Sequence, residues 1–305
     1  MPDMTLPEEF KRTIIGVDGD NGASWLEQLP TILETCASRW DVTLGPHFEP
    51  LTYNYVAPGV RADGRAVVLK AGVPGKERQY EAAALRYFDG RGMVKLLEAD
   101  DALGVMLLER LHPGTALVEM PDDEATTAIA AQVMRELWHP LPADHPFRTV
   151  ADWGQGFQRL WATFDGATGP FSRPLVERAE SLFAELLASS EAPVLLHGDL
   201  HHGNILAAER APWLAIDPQG VAGEPAYEVG AWMRNPVPQV FTSPHPDRLL
   251  LRRADIFAEH LGIDRWRLLA WSMAQAVLSA WWSYEDHDST WEPVMEWAGL
   301  LARLL

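Results

Sequence analysis

The chain has 305 residues, of which 47% are hydrophobic, so its length and composition exclude general disorder and predict two lobes or two domains. Acidic side chains outnumber basic ones by 43 to 25, and the formal net charge of -18 disfavours binding to nucleic acid or to an anionic membrane. A single cysteine, Cys36, excludes an internal disulfide, no apolar run has transmembrane length, and the N-terminus lacks a signal pattern. These features predict a cytoplasmic protein.

The first part of the chain predicts one helix followed by two strands. A serine N-cap and apolar residues at helical spacing indicate an amphipathic helix over residues 24–40, with Gly-Pro at 45–46 ending it. Residues 51–57 and 65–71 have the composition of two strands, joined by a turn at residues 62–65.

Lys70 is the notable residue of the second strand, because the chain contains only three other lysines, Lys11, Lys76 and Lys95. A kinase places its phosphate-contacting lysine on such a strand, whereas an ordinary strand-end lysine would reach solvent. The following residues 76–89 predict a helix, and its inward face should carry an acidic partner. Glu81 is the predicted partner and Glu77 is the alternate, while a solvated glutamate is the competing interpretation of either.

Two further strands, residues 93–98 and 105–111, are separated by a turn and predict a hairpin. A polar, turn-rich break follows, and it divides the chain into predicted lobes of residues 1–111 and 112–305. Beyond it the apolar spacing is mostly helical, and residues 236–246 predict a proline-rich loop. Helices are predicted near residues 122–138, 157–164, 174–189, 227–235, 247–261, 264–284 and 291–304.

The stretch that carries chemistry is His-Gly-Asp-Leu-His-His-Gly-Asn at residues 197–204. A short apolar strand delivers Asp199 into this loop, and a second apolar strand, joined to it through a turn at 207–212, ends on Asp217. Phosphoryl transfer needs an acceptor for the proton of the attacking hydroxyl and oxygen ligands for magnesium. Asp199 suits the first task, and Asn204 and Asp217 suit the second.

Two other interpretations of this loop compete with phosphoryl transfer. A lone His-Gly-Asp can simply close a turn, although the full string with its downstream strand is far more specific. A zinc site is the second competitor, with His197, Asp199, His201 and His202 as its candidate ligands. That site would lack further Cys or His at a recognised spacing, and it would leave Asn204 and Asp217 unexplained.

The C-terminal region has an acidic signature. Between Arg267 and Arg303 there is no Lys or Arg, and the acidic residues in this interval are Glu285, Asp286, Asp288, Glu292 and Glu296. Guanidinium and ammonium groups need carboxylate partners when they are partly desolvated, so the patch would suit a cationic substrate. A solvated acidic surface in an acidic protein is the alternative.

Four segments together resemble the aminoglycoside phosphotransferase family, in its streptomycin and hydroxyurea phosphotransferase branch. They are residues 89–97 (DGRGMVKLL), 197–204 (HGDLHHGN), 213–218 (WLAIDP) and 282–286 (WSYED). The resemblance covers most of the chain from about residue 25 onward. It implies an α+β, two-lobed protein-kinase-like fold with a small β-sheet N-lobe and a larger, mainly helical C-lobe.

The same resemblance implies an ATP- and Mg²⁺-dependent kinase whose acceptor is a hydroxyl of a small cationic molecule, first of all a streptomycin-like aminoglycoside. The implied roles are Asp199 as base, Asn204 and Asp217 on the metal, Lys70 on the phosphates, Glu81 orienting Lys70, backbone at Glu109 to Leu111 on adenine, and Glu285 with Asp286 facing the acceptor. Departing from protein kinases, residues 51–59 contain no G-x-G-x-x-G loop. Hydroxyurea or another metabolite as acceptor, or a catalytically silent binding protein, are the alternatives.

Overall fold

The computed structural model describes residues 5–190, 192–236, 240–286 and 291–305. The chain divides into two compact units, Met1–Gly114 and Thr115–Leu305. The boundary expected from the sequence, after residue 111, lies three residues before this division. Among the described residues, no helix combines the length and the apolar character that crossing a membrane requires.

The first unit is built on a five-stranded antiparallel sheet of order β1-β2-β3-β5-β4. Its elements are α1 (Glu8–Arg39), β1 (Val42–Leu44), β2 (Tyr55–Arg61), β3 (Ala66–Ala71), α2 (Lys76–Phe88), β4 (Leu96–Asp100) and β5 (Val105–Glu109). The predicted β4–β5 hairpin and the turn between β2 and β3 are confirmed. Strand β2 begins later than predicted and continues through Pro58 and Gly59, because both neighbouring strands pair with Gly59.

Helix α1 begins well before the predicted start at residue 24 and contains a break at Gly19, where φ is 55°. It ends at Arg39 rather than at the Gly-Pro pair, because Asp41 takes a positive φ and β1 begins at Val42. Apolar residues of α1, among them Trp25 and Leu29, form one buried cluster with the sheet. The inner face of β3 contributes Val67, Leu69 and Ala71 to that cluster.

The second unit is mainly helical, and its short strands hold the polar loops. Strand β6 (Pro113–Ala116) contains the division between the units. The elements that follow it are α3 (Asp123–Leu137), β7 (Arg148–Thr149), α4 (Val150–Thr163), α5 (Arg173–Ala188), β8 (Val194–Leu196), β9 (Ile205–Ala208), β10 (Trp213–Ala215), β11 (Val221–Gly223), α6 (Val229–Met233), α7 (Pro246–Leu261), α8 (Arg265–Glu285) and α9 (Trp291–Leu304). Helix α8 is buried along most of its length.

The strands around the polar loops differ from the sequence-based prediction. The hairpin with its turn near residues 207–212 joins β9 to β10, whereas β8 lies in another sheet, of pairing order β7-β11-β8, where it pairs with β11. Strands of two to four residues are too short to show a period of two, so β7, β9 and β11 were missed. Within the predicted proline-rich loop, residues 237–239 lie outside the described part of the chain.

Candidate active site

In the first unit, Lys70 and Glu81 form a buried ion pair. Side chains alternate between the two faces of a strand, so Lys70 points away from the apolar cluster that its neighbours Leu69 and Ala71 join. Its Nζ lies 2.6 Å from Glu81 Oε1 on α2, and the two side chains are only 4% and 8% exposed. Glu81 Oε2 also accepts a hydrogen bond from Arg78. The predicted partner Glu81, rather than the exposed Glu77, therefore carries the pair.

Glu109 is the last residue of β5, at the position predicted to meet an adenine edge. Its backbone N–H donates to the carbonyl of Lys95 at 3.0 Å, and its Oε1 accepts from the Lys95 N–H at 2.9 Å. The N–H of Glu109 is therefore already used within the unit. Leu111 follows the strand and is half-buried. The role of this segment toward adenine stays a prediction.

In the second unit, His197 joins the loop of Asp199 to the strand that leads to Asp217. Its ring is buried, its Nε2 lies 2.7 Å from the carbonyl oxygen of Ile216, and its Nδ1 accepts from the Asp199 N–H at 3.2 Å. The carbonyl requires the proton on Nε2, so the ring is a neutral imidazole. Burial lowers the pKa of His197 to about 4, which keeps it neutral.

Glu228 binds the backbone of the same loop, and the sequence alone did not indicate it. It is fully buried at the end of a 3₁₀ turn, where Oε2 accepts from the His197 N–H at 2.6 Å and Oε1 from the Gly198 N–H at 2.9 Å. Burial raises the pKa of Glu228 to about 7. In the sequence, Glu228 is a glutamate between two apolar residues of a predicted helix. Exposed glutamates commonly have the same neighbours, so this pattern does not indicate burial.

Gly198 is required at its position for two reasons. Its φ of 88° lies in the region that L side chains rarely adopt. In addition, a Cβ there would lie 2.8 Å from the Trp153 ring, 3.0 Å from Gln219 Cβ and 3.1 Å from Val221 Cγ1. The glycine thus allows the loop to turn against Trp153 and present Asp199.

Asp199 is 37% exposed, and its two carboxylate oxygens face different cationic or N–H-bearing side chains. Oδ1 lies 3.7 Å from Nη2 of Arg234, and Oδ2 lies 3.7 Å from Nε2 of His201. His201 Nδ1 accepts from the Gly203 N–H, so its proton is on the Nε2 that faces Asp199. Arg234 is 12% exposed and donates to Gln275 Oε1 at 2.6 Å. Sequence reasoning missed Arg234.

The backbone around Arg234 is fixed by a second buried arginine. Nη1 of Arg253 donates to the carbonyls of Trp232 at 2.9 Å and Asn235 at 2.6 Å. Arg253 is itself paired with Asp123 at the start of α3. A buried guanidinium is tolerated when its donors are satisfied, so this arrangement fixes the residues on both sides of Arg234.

Asn204 and Asp217 supply oxygen atoms from two linked loops. The Nδ2 of Asn204 donates to the Asp199 carbonyl at 3.0 Å, which leaves Oδ1 as the atom suited to a cation. The Asn204 carbonyl accepts from the Ile216 N–H at 2.9 Å, and Asp217 then takes a φ of 61°. Mg²⁺ commonly binds one or two protein oxygens together with phosphates and water. The donor set therefore fits magnesium.

The competing zinc interpretation does not agree with the side-chain positions. Among the described residues, no group of three or more His, Cys, Asp or Glu side chains is arranged to hold a metal ion. Both ring nitrogens of His197 contact backbone atoms, and His202 is buried with its ring stacked on Trp232 at 3.5 Å between centroids.

The acidic patch is less uniformly negative than its sequence indicates. Glu285 ends α8 and receives two hydrogen bonds from Arg159 of α4, at 2.8 Å from Nε and 2.9 Å from Nη2. Asp286 is exposed directly after α8, Glu292 and Glu296 are exposed on α9, and Asp288 lies outside the described residues. Arg159 precedes Glu285 by 126 residues, so no local pattern could have indicated this cation. The role of Glu285 and Asp286 toward an acceptor stays a prediction.

Residues 50–287 match the family model described as aminoglycoside/hydroxyurea antibiotic resistance kinase. The chain belongs to this family. It is 32% identical to a streptomycin 6-kinase of Streptomyces glaucescens over 94% of both chains. It is also 34% identical to a hydroxyurea phosphotransferase of Kitasatospora aureofaciens, over 93% of this chain and 81% of that protein. The predicted family, and the prediction of a small-molecule kinase, are confirmed.

Solved structures give the fold independently of close sequence similarity. The choline kinase LicA from Streptococcus pneumoniae aligns with a TM-score of 0.64 at 14% identity, covering 91% of this chain and 99% of that one. The aminoglycoside phosphotransferase APH(4)-Ia, solved with ADP and hygromycin B, aligns with a TM-score of 0.59 at 14% identity, covering 90% and 97%. The predicted α+β, protein-kinase-like fold is confirmed.

Proposed function

We propose that this member of the family transfers the γ-phosphate of ATP to a hydroxyl group of a streptomycin-like aminoglycoside, inactivating the antibiotic. The relatives with 32% and 31% identity are streptomycin 6-kinases, and they support this choice of acceptor. The observation that carries the proposal is the hydrogen-bonded linkage of Asp199, Asn204 and Asp217 through His197 and the backbone of Ile216. This linkage supports the proposal because it connects the loops that carry the proposed proton acceptor and the two proposed metal ligands.

In the proposed reaction, Asp199 accepts the proton of the attacking hydroxyl as that oxygen bonds to the γ-phosphorus, while the bond from this phosphorus to the β–γ bridging oxygen breaks and ADP leaves. Asn204 Oδ1 and the Asp217 carboxylate would hold Mg²⁺, and the bound ion would neutralise charge on the triphosphate. Lys70, oriented by Glu81, contacts the phosphates, and backbone groups between Glu109 and Leu111 bind adenine. A cytoplasmic location, where ATP is available, is part of the proposal, and the free, buried Cys36 is compatible with it.

The acceptor is proposed to be a cation that contacts Glu285 and Asp286. Streptomycin carries guanidinium groups, which form strong paired hydrogen bonds with carboxylates. Hydroxyurea is the second candidate acceptor, and the 34% identity with a hydroxyurea phosphotransferase favours it. Hydroxyurea is small and uncharged, so the two candidates differ in their need for acidic partners.

The direct test is magnesium-dependent transfer of labelled phosphate from ATP, with streptomycin, other aminoglycosides and hydroxyurea offered in parallel. We expect labelled streptomycin with the wild type and a loss of roughly a hundredfold or more in kcat for Asp199→Ala. Nucleotide binding by the variant should stay near the wild-type value. Transfer to hydroxyurea alone would select the second candidate, and ATP binding without any labelled acceptor would contradict the proposed resistance function.

A further inference from the structure

Helices α4 and α8 form a seam in the second unit that begins at the catalytic loop. At one end, the Trp153 ring lies against Gly198, the residue before Asp199. Trp153 in turn contacts Trp282 of α8, with ring centroids 5.5 Å apart and planes at 69°. Glu285, one turn after Trp282, lies further along the seam with its partner Arg159. Residues 153 and 159 are separated by about 9 Å along a helix axis.

Both ends of this seam hold a guanidinium group of the chain itself. The guanidinium carbon of Arg148 lies over the Trp153 ring at 5.2 Å from its centroid, and Arg148 Nη2 contacts Gln219 Oε1 at 3.3 Å. Arg159 binds Glu285 through two parallel hydrogen bonds. An indole face and a carboxylate edge are the two surfaces that bind a planar guanidinium best.

The contacts of Arg159 with Glu285 and of Arg148 with Trp153 are weak enough for another guanidinium group to replace the arginine. Arg159 and Glu285 are 49% and 30% exposed, and exposed ion pairs contribute little to folding. Trp153 and Arg148 are half-buried, so a cation–π contact there is also accessible from solvent. Replacing one guanidinium by another at such a surface conserves the contact while releasing the arginine to water.

We propose that the face of Trp153 and the carboxylate of Glu285 are two guanidinium-binding subsites for the acceptor, and that Arg148 and Arg159 fill them until the acceptor displaces both. This inference rests on the proposed function, since streptomycin carries guanidinium groups. The two arginines act as internal competitors that determine specificity. An acceptor with guanidinium groups replaces what it removes, whereas an acceptor with ammonium groups does not restore planar stacking or paired hydrogen bonds.

The test measures binding as well as turnover. Streptomycin and kanamycin, whose cations are ammonium groups, are titrated calorimetrically into wild type and variants, and KM is measured for streptomycin and for ATP. We expect Arg148→Gln and Arg159→Gln to lower the Kd for streptomycin about two- to tenfold, because the competitor is removed. Trp153→Leu and Glu285→Gln should raise it about three- to thirtyfold. The two arginine variants should change neither the KM for ATP nor the Kd for kanamycin by as much as twofold.

A matched control is the contact between Arg173, the first residue of α5, and a tryptophan of α4. Arg173 lies over the ring of Trp161, near the end of α4, at 5.3 Å and also pairs with Glu177, so it has both kinds of contact. Residues 153 and 161 are about 12 Å apart along the helix axis. Arg173→Gln should leave the Kd for streptomycin unchanged, and an effect equal to that of Arg159→Gln would mean that general charge, rather than competition, explains the result.

The outcomes separate this inference from the proposed function. If wild type binds streptomycin without phosphorylating it, the proposed function fails while the pattern of Kd values still decides the inference. If Arg148→Gln and Arg159→Gln weaken binding or leave it unchanged, the arginines are structural and the inference is overturned. Absence of any streptomycin binding by wild type also overturns it. Arg159→Gln is exposed, so loss of folding does not obscure this variant.

Discussion

Nη2 of Arg234 lies 3.7 Å from Oδ1 of Asp199, with the guanidinium nearly buried and the carboxylate partly open to solvent. The positive charge therefore has a fixed place beside the proposed base, held by Gln275 on one side and by the Arg253-bound backbone on the other. Burial lowers the pKa of Arg234, and the nearby Asp199 opposes that shift. This relationship leads to the first prediction.

Arg234→Leu should lower kcat by roughly ten- to a hundredfold while changing the KM for ATP little, because the variant loses a cation that orients Asp199. Steady-state kinetics with the acceptor that passes the transfer assay measure this split. Arg234→Lys should recover part of kcat. Arg252, in an exposed pair with Glu124, provides the control Arg252→Leu, which should leave both parameters unchanged. A larger effect on KM than on kcat would contradict the positioning role.

The catalytic loop should tolerate no side chain at position 198. Gly198→Ala adds a Cβ that meets Trp153, Gln219 and Val221, in addition to its unfavourable φ of 88°. Gly64 has nearly the same φ, 87°, but a Cβ there meets nothing within 4 Å. We expect Gly64→Ala to destabilise by about 1–2 kcal/mol and Gly198→Ala by about 1–3 kcal/mol more. Urea unfolding compares them, and only Gly198→Ala should lower kcat.

Glu228 should make folding stability depend on pH. Its pKa is raised from 4.5 to about 7, so the folded protein binds an extra proton between these values. Stability from this group is therefore fully present below pH 4.5 and is lost as pH rises towards 7. His197 acts oppositely, because its pKa falls from 6.5 to about 4 and stability decreases as pH falls through that range.

Glu228→Gln isolates the first contribution. We expect the variant to be destabilised at every pH, because the amide nitrogen cannot accept from a backbone N–H of the loop. The free-energy difference between wild type and variant should shrink as pH rises from 4.5 to 7 and then become constant. Denaturant unfolding at half-unit pH intervals measures this difference. A difference that stays constant between about pH 5.5 and 7 would mean that Glu228 is ionised in the folded protein throughout this range.

The buried pair on the sheet of the first unit should respond asymmetrically to mutation. Lys70→Met leaves Glu81 bonded to Arg78, whereas Glu81→Gln places a neutral amide between two cations. We expect Glu81→Gln to be the more destabilising change, by about 1 kcal/mol or more. Lys70→Met should instead act mainly on the KM for ATP and on kcat. Thermal unfolding and kinetics test both, with the exposed Lys76→Met as control.

Prediction from sequence succeeded where a local pattern carries the information. The helices of the second unit and the β4–β5 hairpin were predicted because their apolar spacing or composition extends over five or more residues. Glu81 was selected over Glu77 because it shares a helix face with Ala84 and Phe88, which are buried. Strand β11 and the early start of α1 were missed, since three residues or a glycine-broken helix leave no clear period.

The sequence by itself determined the residue types of the chemistry, Asp199, Asn204 and Asp217, because phosphoryl transfer requires oxygen groups at a recognisable spacing. Only the tertiary structure decided what surrounds them. Glu228 reaches His197 across 31 residues, and Arg159 reaches Glu285 across 126 residues. Such contacts depend on how helices and strands pack. A charged side chain has the same appearance in sequence whether folding buries it against backbone N–H groups or leaves it in water.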